Sequence, residues 1–154
     1  RGGPPGPASV LWHRLATMAG DVSTEAKVLK FFEQRQQGQA TLQVARCTRV
    51  ENARTRAFAP EPGHHPTLVF HGTPEGNVGN IMAEGLIMEF CGGCGGIFGA
   101  MNPNTSLGYA RKAGGTRHFM MVCLYDLAAP AQPGGAYSVP KDSAATVLWL
   151  LKLA

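Results

Sequence analysis

The chain has 154 residues, 44% hydrophobic and 16% charged, with a net charge of +4. That length suits one domain with its own core and needs no disulfide staples, and no apolar run approaches the roughly 20 residues that cross a bilayer. The basic residues are scattered rather than gathered into a strip with interleaved aromatics, so no nucleic-acid face is indicated, although a mildly basic surface favours anionic ligands.

Residues 1–22 open without Met and are rich in Pro and Gly. They carry two Arg and no acid before Asp21, as a transit peptide would, but read rather as a flexible leader with little power to pack, a linker or a piece excised from a longer chain, leaving 23–154 as the domain proper. "STEAKVLKFFEQRQQG" predicts a helix capped by Ser23 or Thr24, with Ala26, Leu29 and Phe32 on the buried stripe and Gly38 as the stop. "TLQVARCTRV" (41–50) reads as a strand with Leu42, Val44, Thr48 and Val50 on one face. The three-proline stretch "ENARTRAFAPEPGHHP" is a connection in which Glu51 and Asn52 are structural, and "TLVF" (67–70) is a short buried strand.

His71, Gly72 and Thr73 follow that strand, and Pro74 stands near a helix start, where its missing N–H costs nothing. Val78, Ile81 and Met82 form the buried stripe of this helix, and Gly85 is its left-handed C-cap. After the Gly-rich "CGGCGGIFGAMNPN" a helix is predicted over 105–111, capped from Asn104 or Thr105. "FMMVCLY" (119–125) is a buried strand, "AYSV" a short one, and "VLWLLKL" (147–153) a strand or helix. Twenty glycines and eleven prolines, many in visible turns, indicate a loop-rich β architecture. The irregular alternation without βαβ spacing indicates α+β.

The four cysteines, 47, 91, 94 and 123, read as reduced thiols of an intracellular protein, cytoplasmic or nuclear. The one CxxC, Cys91 and Cys94, gives two ligands where structural zinc needs four; Cys47 and His64 or His65 could in principle complete a site, but the pair reads as free thiols in a Gly-rich loop and no metal is expected. His13, His64, His65 and His118 read as surface or core histidines.

Three blocks carry a resemblance. "TLVFHGTPEGNVGNIMAEGL" (67–86), with "CTRVENA" ahead of it, is similar to the opening motif of PARP-type ADP-ribosyltransferases, the diphtheria-toxin-like branch of NAD-dependent transferases. "GIFGAMNPNTSLGYA" resembles that family's second block, with Gly96, Ser106 and Tyr109 at matching spacing. "YSVPKDSAATVLWLLKL" resembles its terminal strand pair. The resemblance spans 41–154. It implies an ADP-ribosyltransferase fold, with two small antiparallel sheets packed around an NAD cleft and flanked by helices.

It also implies roles. A carboxamide has one acceptor oxygen and two donor hydrogens, so the backbone N–H and C=O of Gly72 can pair with nicotinamide in both senses, and a glycine leaves that approach open. Ser106 can donate to the same carbonyl, while Tyr109 and Phe98 wall the ring. His71 reaches a ribose hydroxyl, and Thr73 helps orient the ligand. NAD is then the co-substrate, with a protein acceptor foremost, a nucleic-acid acceptor as the second option and no membrane. Each residue also has a plainer reading: His71 as a turn histidine, Ser106 as a helix cap or back-bonded hydroxyl, Tyr109 as core.

The family's catalytic triad is His, Tyr, Glu, and its positions fall here on His71, Phe98 and Ala136. Phe98 keeps a stacking face and loses the hydroxyl. Ala136 has no acceptor or titratable group, so the resemblance implies transfer of single ADP-ribose units rather than chain growth. The Gly-rich "CGGCGG" predicts mobility or close backbone approach beside the donor pocket. With about 40 residues ahead of the matching region there is no room for a regulatory helical subdomain, which implies constitutive access to the pocket. Two other readings stay open: a PARP-like module that binds NAD or ADP-ribose without turnover, and an RNA 2'-phosphotransferase, disfavoured because no cluster of basic residues suited to an RNA phosphate is evident.

Overall fold

In chain order the computed structural model has helices α1 (Pro7–Ala16) and α2 (Glu25–Arg35), strand β1 (Val44–Arg49), helix α3 (Ala53–Ala57), strand β2 (His65–Thr73) and helix α4 (Val78–Glu84). Strand β3 (Ile97–Ala100), helix α5 (Pro103–Lys112), and strands β4 (Phe119–Leu127), β5 (Ala136–Val139) and β6 (Ala145–Leu153) follow. The structure describes residues 7–36, 42–87, 97–112 and 119–154, with side chains for all of these except 7–9, 97 and 109–112. Gly38, Cys91, Cys94, Gly96 and His118, and most of the Gly-rich loop, lie outside the described residues.

The α+β expectation holds, but the described strands join one antiparallel sheet, ordered β1-β6-β4-β2-β3-β5, where two were expected. The physical reason is a narrow waist. β2 pairs with β4 from His65↔Leu127 to Thr73↔Phe119, whereas it meets β3 at one register pair, Phe70↔Ala100. β3 then pairs with β5 from Ile97↔Val139 to Ala100↔Ala136. Four strands and two strands are thus hinged at Phe70.

Each sheet face has its own core. Leu68, Phe70, Met120, Val122, Leu124, Leu148 and Leu151 face α1, α2 and Leu107 of α5. Val69, Met121, Cys123, Tyr125, Val147 and Leu150 face Ile81 of α4. The alternation follows from the two-residue period of a strand. It breaks between Val122 and Cys123, where the partners step from Trp149 to Val147. This bulge puts both Leu148 and Trp149 in the first core, where the Trp149 Nε1 donates to the Val22 carbonyl at 2.7 Å.

The expected leader is the largest revision. Residues 7–16 form α1, and the stretch 7–22 supplies Trp12, Leu15, Ala16 and Val22 to the core. Trp12 is 1% exposed and meets Trp149 edge-on at 5.5 Å, a pairing worth about 0.5–1.5 kcal/mol beyond its area. Pro and Gly content masked an apolar stripe whose partner lies at the other end of the chain.

Helix α2 begins as expected at Thr24, whose hydroxyl accepts from the Lys27 N–H. Its buried positions, however, are Val28 and Phe32, while Ala26 and Leu29 are exposed. In β1 the register skips Ala45, so Val44 and Cys47 turn inward and Thr48 is exposed. The connection at 51–66 contains the short helix α3, closed by a capping box between Asn52 and Thr55. Asn52 also donates to the Met82 carbonyl at 3.1 Å, and Glu51 pairs with Arg49, so both are structural as read. Helix α5 starts at Pro103, two residues early, because the Asn102 side chain accepts from the Asn104 N–H.

Candidate functional site

The motif His71-Gly72-Thr73 completes β2 rather than opening a turn, and its helix follows after Pro74 and a single 3-10 turn at Glu75–Asn77. Gly85 ends that helix with φ 89° and ψ −174°, a positive φ as expected but an extended ψ in place of the left-handed helical one. Extending β2 through Thr73 brings His71, Gly72 and Thr73 opposite Met121, Met120 and Phe119 of β4. On the other side the pairing with β3 stops at Phe70, so among the described residues no strand takes up Gly72 there.

His71 Nδ1 lies 2.6 Å from the Phe98 carbonyl oxygen. A carbonyl only accepts, so Nδ1 carries the proton, and in the neutral ring Nε2 presents a lone pair. Nε2 has no partner among the described residues. Burial holds the imidazole below its ordinary pKa, opposed more weakly by the bond to Phe98. The ring therefore keeps its neutral, acceptor-bearing form to lower pH than an ordinary imidazole does.

The same shift predicts a stability effect. The unfolded chain binds a proton at ordinary imidazole values, about pH 6.5, that the folded chain refuses, so the fold gains from neutral His71 above that pH and loses it on acidification. The fall in thermal midpoint of the wild type between pH 7.5 and 5.5 is expected to exceed that of His71→Asn. Equal falls would contradict the depressed value.

The Phe98 carbonyl also accepts from the Tyr125 hydroxyl at 3.0 Å. Sequence reading placed Tyr125 only in a buried strand; the signal was a single hydroxyl in an otherwise apolar run, since a buried tyrosine O–H seeks a partner. Gly99 makes this approach possible. A Cβ there would lie 2.8 Å from Val69 Cγ2 and 2.9 Å from Tyr125 Cε2, and both side chains are fully buried. Gly99→Ala is expected to cost about 1–3 kcal/mol in denaturant unfolding, since neither neighbour has room to retreat. A cost below about 0.5 kcal/mol would show that the ring can move aside.

Ser106, 1% exposed, donates to the Phe70 carbonyl at 2.6 Å. It is neither cap nor back-bond: it fastens α5 to β2 one residue before His71. Its proton is committed to Phe70, so the oxygen lone pairs are what it offers to a further group. Tyr109 follows one turn later on α5; its ring lies outside the described side chains. Thr73 is 2% exposed with its hydroxyl 3.5 Å from the Pro74 carbonyl. Phe98 is half-buried on β3. Ala136 opens β5, exposed, opposite Ala100. Thus Gly72 and His71 on β2, Phe98 on β3 and Ser106 on α5 meet around the Phe70 waist, with Ala136 one strand further.

A separate cleft of about 320 Å³ is lined by Glu61, His64, Asp126, Ser138 and Lys141 among others, and by none of the predicted site residues. Its polar groups answer one another. His64 Nδ1 lies 3.1 Å from Asp126 and Nε2 3.3 Å from Glu61, while Lys141 donates to Glu61 at 3.0 Å. Lys141, with His64, holds the Glu61 carboxyl below its usual range. His64 thus lies between two carboxylates, while His13 and His65 are exposed. Among the described residues no three His, Cys, Asp or Glu side chains gather as a metal would require, and no helix is long and apolar enough to cross a membrane.

Comparison of the chain with protein-family models and with curated proteins finds no match.

Proposed function

We propose that the chain is an NAD-dependent ADP-ribosyltransferase that moves single ADP-ribose units to an acceptor and releases nicotinamide. The observation that carries this reading is the His71–Phe98 bond, which leaves the imidazole Nε2 as a hydrogen-bond acceptor beside Gly72. A ribose hydroxyl is the donor such a nitrogen suits. The Gly72 backbone pairs with the carboxamide oxygen and amide, and the Ser106 oxygen accepts from the same amide. The nicotinamide–ribose C–N bond then breaks through an oxocarbenium-like state, the pyridine leaves neutral, and the acceptor's oxygen or nitrogen bonds to the anomeric carbon as its proton departs. Positioning supplies most of the catalysis, because Ala136 offers neither charge nor base.

A second reading, a module that binds NAD or ADP-ribose without turnover, is favoured by Phe98 and Ala136, which together lack the hydroxyl and the carboxylate of the triad. Incubation with NAD labelled in the adenosine half, with nicotinamide release followed in parallel, separates the two. Label on the chain or on added protein, lost in His71→Ala, supports transfer; calorimetric binding without nicotinamide release supports the module. Absence of both overturns the NAD reading.

A further inference from the structure

Among the described residues, most cations other than the half-buried Lys152 have evident partners or open water. Lys27 pairs with Asp21, Arg49 with Glu51 and Lys141 with Glu61. Arg54, half-buried, donates to the carbonyls of Leu86 and Asp142. Arg14, Lys30, Arg46 and Arg56 are exposed.

Arg35 is different. It ends α2, is half-buried, and among the described residues has no oxygen acceptor. One Nη lies 3.3 Å from the Met101 sulfur, a weak acceptor, and the guanidinium carbon stands 4.7 Å over the Phe31 ring. Burial alone pulls its pKa down, the sign of a cation withdrawn from water without a counter-charge. The aromatic face holds the guanidinium in place, leaving most of its five N–H donors uncommitted.

Its position matters as much as its solitude. Phe31 stacks on Phe70 at 5.4 Å, and Phe70 is the residue whose carbonyl anchors Ser106 and whose chain neighbour is His71. Met101 joins β3 to Asn102, which caps α5. The guanidinium therefore sits at the β3–α5 junction, on Met101, which follows Phe98 by three residues along the chain.

We propose that Arg35 binds the anionic diphosphate of the dinucleotide co-substrate over the β3–α5 junction. The inference rests on the NAD reading above and adds a residue that none of the three sequence blocks contains. A diphosphate presents paired oxygens that a planar fork meets two at a time, which a lysine cannot do.

Calorimetry with two probes tests it: ADP-ribose, which carries the diphosphate, and nicotinamide, which carries no phosphate. In Arg35→Gln, ADP-ribose is expected to bind about 10- to 100-fold less tightly while nicotinamide affinity is unchanged. Arg35→Met keeps an apolar stem against Phe31 and is expected to behave alike, so one folded variant suffices. In the wild type, the Arg35 guanidinium proton resonance is expected to shift with inorganic pyrophosphate and to ignore nicotinamide. Unchanged ADP-ribose affinity in either folded variant, or an unmoved resonance, overturns the role of Arg35 and leaves the NAD reading standing. A wild type that binds neither probe overturns both.

Discussion

Replacing His71 by alanine is expected to lower nicotinamide release from NAD by about 100-fold or more while leaving the fold in place. A misplaced reacting group costs a factor of that order, because the barrier depends on holding the scissile bond and the acceptor in register. The fold survives because the Phe98 carbonyl keeps its bond from the Tyr125 hydroxyl when the imidazole is gone. His71→Asn sharpens the test. Its amide can reproduce the Nδ1 donation to Phe98 but has nothing where Nε2 stood. It is expected to be as inactive as the alanine variant and closer to wild type in thermal midpoint. Turnover retained in His71→Asn would mean that the imidazole only fastens β2 to β3, and the ribose role assigned to it would fall.

Phe70→Ala is expected to be the most damaging single truncation for stability among the sheet residues near the site, about 3–5 kcal/mol in denaturant unfolding. Phe70 is fully buried, stacked on Phe31 at 5.4 Å and edge-on to Phe32 at 5.6 Å. Among the described residues it is also the one register contact between β2 and β3, and it carries the carbonyl that Ser106 grips. Losing the ring leaves a cavity under α2 and loosens the waist, so ligand affinity is expected to fall with stability. Leu29→Ala on the same helix is the control. That side chain is 39% exposed, and its truncation is expected to stay within about 0.5 kcal/mol. A Phe70→Ala cost below about 1 kcal/mol would contradict the packing of α2 on β2.

Much of the fold was legible where one element's pattern suffices. The unbroken apolar run of 119–125 is β4, buried at every position, and Ser23-Thr24 before a periodic stretch marked the start of α2. The alternation in 41–50 indicated a strand but assigned Thr48 to the wrong face, because a bulge at Ala45 shifts the parity and no local property of that stretch announces it. "VLWLLKL" left strand and helix open. A uniformly apolar run has no period to read, and pairing with both β1 and β4 settled it as β6.

The candidate site shows the same division. The resemblance to the PARP-type blocks singled out His71, Gly72, Thr73, Phe98, Ser106, Tyr109 and Ala136. It did not reveal that Phe98 takes part through its carbonyl, that Tyr125 shares that carbonyl, or that Ser106 holds Phe70. Backbone acceptors are present at every residue, so no sequence marks the one a side chain will find.

Composition, periodicity and capping chemistry, which act within a few residues, were enough to establish an α+β chain and most of its elements. Whether 7–22 packs depended on Trp149, more than 130 residues after Trp12; the union of the strands into one waisted sheet depended on the Phe70↔Ala100 pair; and the proton on His71 depended on a carbonyl 27 residues away. These are contacts between distant segments, and they exist only once the whole chain has collapsed around a common core.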